Sequence, residues 1–406
     1  MRTVAVLALA ALALLPAGAT RAAAEAKDRA RQAPPRIEAR AWSVADGRTG
    51  EPLSGHAAAR RLPIASTTKL MTAYLALQDL PLSRRVRAVP YQAIPGESLL
   101  GLSPGEAISV RDLLYGLVLR SGNDAAATLA VAAAGSQARF VRQMNLRAAA
   151  LGMADTHYSN PIGLDAPGNY SSARDLITLT RRLLRIPAFA RIADSRTALL
   201  ASLRPPERIY TRNTLLLDEP WATGVKTGHT LGAGYVLVGS GRRRGVELIS
   251  AVLGAPSEAT RDSDTVRLLD YGFERYVRRA PLRRGRAVVS PSIRYAGGEL
   301  PLVPARTVVV GVRRGQRVSL EIRAPGEVEG PIARGARLGA ATVLVDGRPA
   351  ATATLVASRD IPKAGLFDRA RSFVSERWIA LALAACAILV AAVLLVRWLR
   401  RREGIG

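Results

Sequence analysis

Pro63-Ile64-Ala65-Ser66-Thr67-Thr68-Lys69-Leu70-Met71-Thr72-Ala73 sets a serine and a lysine three positions apart at the head of an apolar, helix-forming run. On a helix that spacing brings both side chains to one face. The chain has only four lysines among its 58 basic residues, and another of them, Lys226, opens Lys226-Thr227-Gly228-His229-Thr230. A chain that writes nearly every positive charge as arginine gives these two lysines a chemical meaning. Guanidinium stays protonated at any physiological pH, whereas a desolvated ammonium can lose its proton and serve as a base.

Between the two lies Ser121-Gly122-Asn123. Taken singly, each motif has an ordinary explanation: Ser66 as a helix N-cap, Ser-Gly-Asn as a turn, Lys226 as a solvated strand end. Together, in this order and with gaps of about 50 and 100 residues, they point to acyl transfer on a serine. Ser66 is then the candidate nucleophile, at a helix start where free N–H groups favour a developing alkoxide. Lys69 is its base, Ser121 relays a proton between Lys69, Lys226 and the leaving amine, and Asn123 holds the substrate amide. Gly228 lets an extended peptide approach an edge strand, with Lys226 and Thr227 facing its terminal carboxylate. Backbone N–H groups of Ser66 and His229 would form the oxyanion hole.

The 406 residues allow two folded domains and accessory segments. Residues 1–24 have the basic start, apolar run and small residues of a signal peptide, and 25–36 read as a charged, flexible leader. From 37 to 280 a first strand is followed by amphipathic helices at 66–78, 110–119, 125–134, 138–151 and 172–185. Strands at 221–227, 234–240 and 246–253 come next, then a helix at about 261–276. That order predicts an α/β (α+β) unit: a sheet whose late strands return beside the first, flanked by helices, with a helical lobe. Residues 281–359 alternate with Gly and Pro turns and predict a small antiparallel, sandwich-like β-domain, with 360–377 as a linker. Trp378 to Val396 is a stretch of 19 uncharged residues, long enough to cross a bilayer. The arginines after it assign 397–406 to the cytoplasm and the preceding chain to the outside.

The single cysteine, Cys386, falls in that apolar stretch, which excludes disulfides from the rest of the chain. His56, His157 and His229 have no metal-ligand spacing, and neither a metal nor a cofactor is expected. The net charge of +26 is spread thinly without a nucleic-acid motif, so it reads as a solvated surface with some attraction for anionic envelope polymers or headgroups.

The residues from about 37 to 276 resemble the low-molecular-mass penicillin-binding proteins, specifically the serine-type D-alanyl-D-alanine carboxypeptidases. The resemblance rests on Pro63 to Ala73, Ser121-Gly-Asn-Asp-Ala, Gly163-Leu-Asp-Ala, Tyr170-Ser-Ser-Ala-Arg-Asp-Leu, Asn213-Thr-Leu-Leu and Gly224-Val-Lys-Thr-Gly-His-Thr. It implies a β-lactamase/transpeptidase-like catalytic domain, a trailing β-domain and a C-terminal anchor. It also implies cleavage of the terminal D-alanine from peptidoglycan stem peptides through an acyl-enzyme on Ser66, with β-lactams as covalent inhibitors. Thr227, Gly228 and His229 take the substrate-binding strand, and Arg261 the place of a carboxylate-binding arginine. Ile162 stands where relatives often carry histidine. The alternatives are a class A-like β-lactamase, opposed by the missing Glu-x-x-Leu-Asn and by Ser-Gly-Asn for Ser-Asp-Asn, and a non-catalytic wall-binding or β-lactam-sensing protein. The sequence leaves oligomeric state open.

Overall fold

The computed structural model describes residues 33–402, so the expected signal peptide, most of the leader and the last four residues of the tail lie outside the described residues. Two compact units divide between Arg275 and Tyr276.

The first unit is built on a five-stranded antiparallel sheet whose spatial order is Pro52–His56, Ala41–Asp46, Val246–Ala255, Gly234–Arg243 and Ala222–Thr230. The late strands return beside the first, which leaves Ala222–Thr230 on an edge. Alternation along Val246–Ala255 serves two cores at once. Ile249, Ala251 and Leu253 join the large core with Leu176, Leu179 and Leu183 of the helix Ala173–Leu184. Leu248 points the other way, toward Gly272 of the helix Glu258–Glu274. Both helices are capped as their sequences suggest: Ser172 Oγ accepts from Asp175 N and Ser257 Oγ from Thr260 N. Lys69–Asp79, Asn123–Ala134 and Gln137–Ala150 form the helical lobe, and Gly135, with φ of +77°, ends the middle one.

Local differences from the sequence reading fall at the site. Ser66 does not begin an α-helix: Ala65–Thr68 is a 3₁₀ turn and the α-helix starts at Lys69. The helix expected at 110–119 is α-helical only over Val110–Tyr115 and finishes as a π turn at Gly116–Arg120. Such a widened turn lets Gly122 N reach back to Gly116 O at 3.1 Å and delivers Ser121 at its end.

In the second unit, Leu302–Pro304, Arg348–Ala357, Arg337–Val345 and Val318–Arg323 form an antiparallel sheet in that order. Tyr276–Leu282 pairs with Val308–Arg313, so the unit begins at Tyr276, earlier than the expected 281. One short pair, Ser292–Ile293 with Glu327–Val328, is parallel where only antiparallel pairing was expected. Leu302, Val310, Val343 and Leu355 lie in an aliphatic core. The linker is shorter than expected, because a continuous helix runs over Leu366–Arg402. Among the described residues no helix is long and apolar enough to cross a membrane; part of the expected span 378–396 has side chains outside that set.

Candidate active site

Ser66 sits where the 3₁₀ turn meets the edge strand. Ala65, just before it, has φ of +45°, and Ser121 has φ of +63°, so a left-handed residue sets the direction of each serine. Non-glycine residues hold that conformation only where the surroundings impose it, and such positions gather at functional sites. The surroundings are visible: a Cβ added to Gly228 would lie 3.0 Å from Ser66 N, and one on Gly163 would lie 2.1 Å from Ala65 O. Two glycines therefore let the edge strand and the 160–163 turn close on the backbone that carries Ser66. Asn160 Oδ1 shapes that turn by accepting from Ile162 N and Gly163 N at 3.1 and 2.6 Å.

Lys69 is buried and donates to Ser66 Oγ at 2.9 Å, Asn123 Oδ1 at 2.7 Å and Ile162 O at 2.6 Å. These acceptors exhaust its three protons when it is charged and leave a lone pair within reach of Ser66 Oγ when it is neutral. Burial, reinforced by the like charge of Lys226, holds the Lys69 ammonium well below its ordinary range. The role of position 162 is carried by its carbonyl, which explains why isoleucine can stand there.

Lys226 is also buried and donates to Ser121 Oγ at 3.0 Å and to Thr227 O at 2.8 Å. Burial, then the charges of Arg212 and Arg261, lower it to about 7. The site thus has two pairs, Ser66 with Lys69 and Ser121 with Lys226. Asn123 ties itself to the first through Oδ1, and of the two lysines expected to share protons with Ser121, Lys226 is the one hydrogen-bonded to it. Thr227 is half-buried on the edge strand, while His229 is exposed and stacks on Tyr235 with ring centroids 4.1 Å apart. Asp165 ties down the end of this strand, accepting from Thr230 Oγ1 at 2.7 Å and Gly232 N at 2.9 Å.

Arg261 is buried at the start of the helix Glu258–Glu274 and pairs with Asp262 and Glu258, each at 2.8 Å. It acts on Lys226 through space while already holding two carboxylates. Asp264, the other carboxylate near it in sequence, instead accepts from Glu38 N and Ala39 N.

Four contributors had no role in the sequence reading. Arg212 adds charge beside Lys226. Glu97 accepts from Asn123 Nδ2 at 2.7 Å, Tyr91 donates its hydroxyl to the same Glu97 oxygen, and Ile162 supplies a carbonyl. Only the adjacent Asn213-Thr-Leu-Leu stretch hinted at Arg212; nothing in the spacing pointed to the other three. What the arrangement offers is a serine beside a buried amine whose proton affinity is lowered, a second serine beside an amine lowered to about 7, and an edge strand for an extended peptide.

Comparison with known proteins gives the same picture along both units. The family described as D-alanyl-D-alanine carboxypeptidase matches residues 28–257, and the one described as penicillin-binding protein 5, C-terminal domain, matches residues 276–363. The chain is 31% identical to the D-alanyl-D-alanine carboxypeptidase DacC of Escherichia coli over 363 residues, covering 85% of this chain and 89% of that protein. It is 30% identical to DacF of Bacillus subtilis over 339 residues, covering 81% and 87%. Among solved structures, penicillin-binding protein 5 from Haemophilus influenzae superposes with a TM-score of 0.58 at 28% identity, covering 82% of this chain and 99% of that one.

Proposed function

We propose a mechanism from the premise that this chain belongs to the D-alanyl-D-alanine carboxypeptidase family and is a serine-type carboxypeptidase of that kind. Ser66 Oγ attacks the carbonyl carbon of the D-Ala-D-Ala amide as its proton passes to Lys69 Nζ. The developing oxyanion is held by the backbone N–H groups of Ser66 and His229. Collapse breaks the C–N bond, and the departing amine of D-alanine takes a proton from Ser121 Oγ, which Lys226 replaces. Water then cleaves the ester: one of its protons returns to Lys226 through Ser121, and Lys69 returns the first proton to Ser66. A group that titrates near pH 7 is suited to giving and taking a proton in the same cycle. Asn123 holds the substrate amide, Gly228 lets the peptide pair with the edge strand, and Thr227 receives its carboxylate end, while Arg261, occupied by Glu258 and Asp262, contributes only its charge.

The observation that carries this reading is the 2.9 Å contact between Ser66 Oγ and a buried Lys69 whose proton affinity is lowered. The substrate class we assign is the peptidoglycan stem pentapeptide, with β-lactams acylating the same serine. We further assign a membrane anchor to the uncharged stretch 378–396, supported by nineteen apolar or small residues and the arginines that follow it. This places the site on the extracytoplasmic side. Incubation with diacetyl-Lys-D-Ala-D-Ala, followed by mass spectrometry, should detect one released D-alanine per peptide. An intact tripeptide after prolonged incubation with active-site-titrated protein would refute the proposal.

A further inference from the structure

Glu97 lies on the loop 88–106, between the paired strands Arg85–Arg87 and Ala107–Ser109. This loop is fastened to the Ser121-Gly122-Asn123 segment at several points. Asn123 N donates to Ser98 O at 2.8 Å, and the Asp124 carboxylate accepts from Leu100 N, Gly101 N and Leu102 N at 2.8, 2.8 and 3.0 Å. The fastening sets Glu97 Oε2 2.7 Å from Asn123 Nδ2. Tyr91 donates its hydroxyl to the same oxygen, and Ile94 N donates to the other at 3.2 Å.

The donor and acceptor inventory then decides how Asn123 stands. An ionised carboxylate only accepts, and Lys69, whose lone pair faces Ser66 Oγ when it is neutral, donates to Asn123 in either protonation state. Asn123 must therefore turn its NH₂ toward Glu97 and its oxygen toward Lys69, where the contact is 2.7 Å. One N–H of the amide is spent on Glu97 and the second remains for a substrate carbonyl. Burial opposes ionisation of Glu97, but the hydrogen bonds from Asn123 and Tyr91 outweigh it and hold its carboxyl below the ordinary range. Tyr91, pushed up by burial and by Glu97, stays a donor.

We propose that Glu97 is a positioning residue for acylation: clamped by Tyr91, its carboxylate fixes the Asn123 amide and sets a negative charge one side chain from Lys69. The proposal rests on Ser66 and Lys69 being nucleophile and base. Three charged groups bear on Lys69, from three elements: Lys226 on the edge strand disfavours its protonation, whereas Glu97 on the loop and Asp124 on the helix Asn123–Ala134 favour it. Acylation requires neutral Lys69, so kcat/KM rises with pH along an acid limb that the Glu97 charge holds at higher pH.

The test is the pH profile of kcat/KM for D-alanine release from diacetyl-Lys-D-Ala-D-Ala. Glu97→Gln keeps an accepting oxygen and removes the charge, so its acid limb should move to lower pH. Glu97→Ala removes both, and its kcat/KM at the optimum should fall about tenfold or more, the size of one charge-assisted hydrogen bond. Tyr91→Phe should shift the profile in neither direction by as much as Glu97→Gln, because the charge remains. An acid limb for Glu97→Gln that superimposes on wild type overturns the proposal even if the alanine variant fails to fold. Wild-type protein that releases no D-alanine overturns the catalytic reading beneath it, so the two failures are told apart.

Discussion

The two units bury their interiors in different ways. In the second, the fully covered side chains are aliphatic: Leu302, Val310, Val343 and Leu355 fill the space beneath the sheet, and no charged or polar residue is buried among the described residues there. In the first, a comparable aliphatic core shares its interior with Lys69, Lys226, Arg261, Asn123 and Asp124. Burying a charge costs stability unless its partners are well placed, and apolar packing of similar volume usually does as well or better. An interior that keeps two lysines against that cost marks chemistry, whereas an interior of aliphatics alone marks architecture. Burial is common to both units; what differs is whether it shifts proton affinities.

Substitutions in each unit test that contrast. The largest effect is expected from Lys69→Arg, which keeps the charge but cannot deprotonate. D-alanine release should drop about 10³-fold, within the range for losing a general base, as read by single-turnover kinetics. Next is Gly163→Ala, whose Cβ would lie 2.1 Å from Ala65 O at a φ of +96°. The 3₁₀ turn must shift to admit it, and a displacement of the nucleophile by about 1 Å costs on the order of 10² in rate; D-alanine release and near-UV circular dichroism should change together.

A third test concerns the burial of Lys226. In the folded protein it titrates at about 7, against its ordinary value of 10.5 when unfolded. Between those values the unfolded chain binds the extra proton, so this lysine makes stability rise with pH across that window, and below it the penalty is at its full, constant size. Lys226→Met should flatten the dependence in thermal melts taken from pH 6 to pH 10, and should be the more stable protein at the acid end. The smallest catalytic effect belongs to Leu355→Ala in the second unit. Opening its core should cost about 2–5 kcal/mol of stability, visible in denaturant unfolding, with kcat/KM unchanged at low temperature.

The sequence was most legible where residue type and spacing both mattered. Ser66 and Lys69 sit three apart, and Lys226-Thr227-Gly228 ends a strand-like run, so their meeting followed from the order of elements in the sheet. The strand at 246–253 was expected from the sequence, whereas its burial on both faces follows from its central place in the sheet. Less legible were groups recruited by main-chain geometry. Lys69 uses the carbonyl of Ile162, for which the side chain gives no sign, and Glu97 reaches Asn123 only because Asp124 fastens the intervening loop. The start of the helix at Lys69 rather than Ser66 was hidden for a similar reason. Ala65 takes a left-handed conformation where Gly163 and Gly228, both distant in sequence, pack against its backbone and that of Ser66. The apolar stretch 378–396 was plain from composition, whereas its helix starting at Leu366 crosses what composition suggested was a linker.

The most direct measurement is peptide mapping by mass spectrometry after brief exposure of the wild-type protein and Ser66→Ala to penicillin. A penicilloyl adduct confined to the peptide containing Ser66, and absent from the variant, is the result that the two-lysine site predicts. An adduct on another residue, or one that persists in Ser66→Ala, would contradict it.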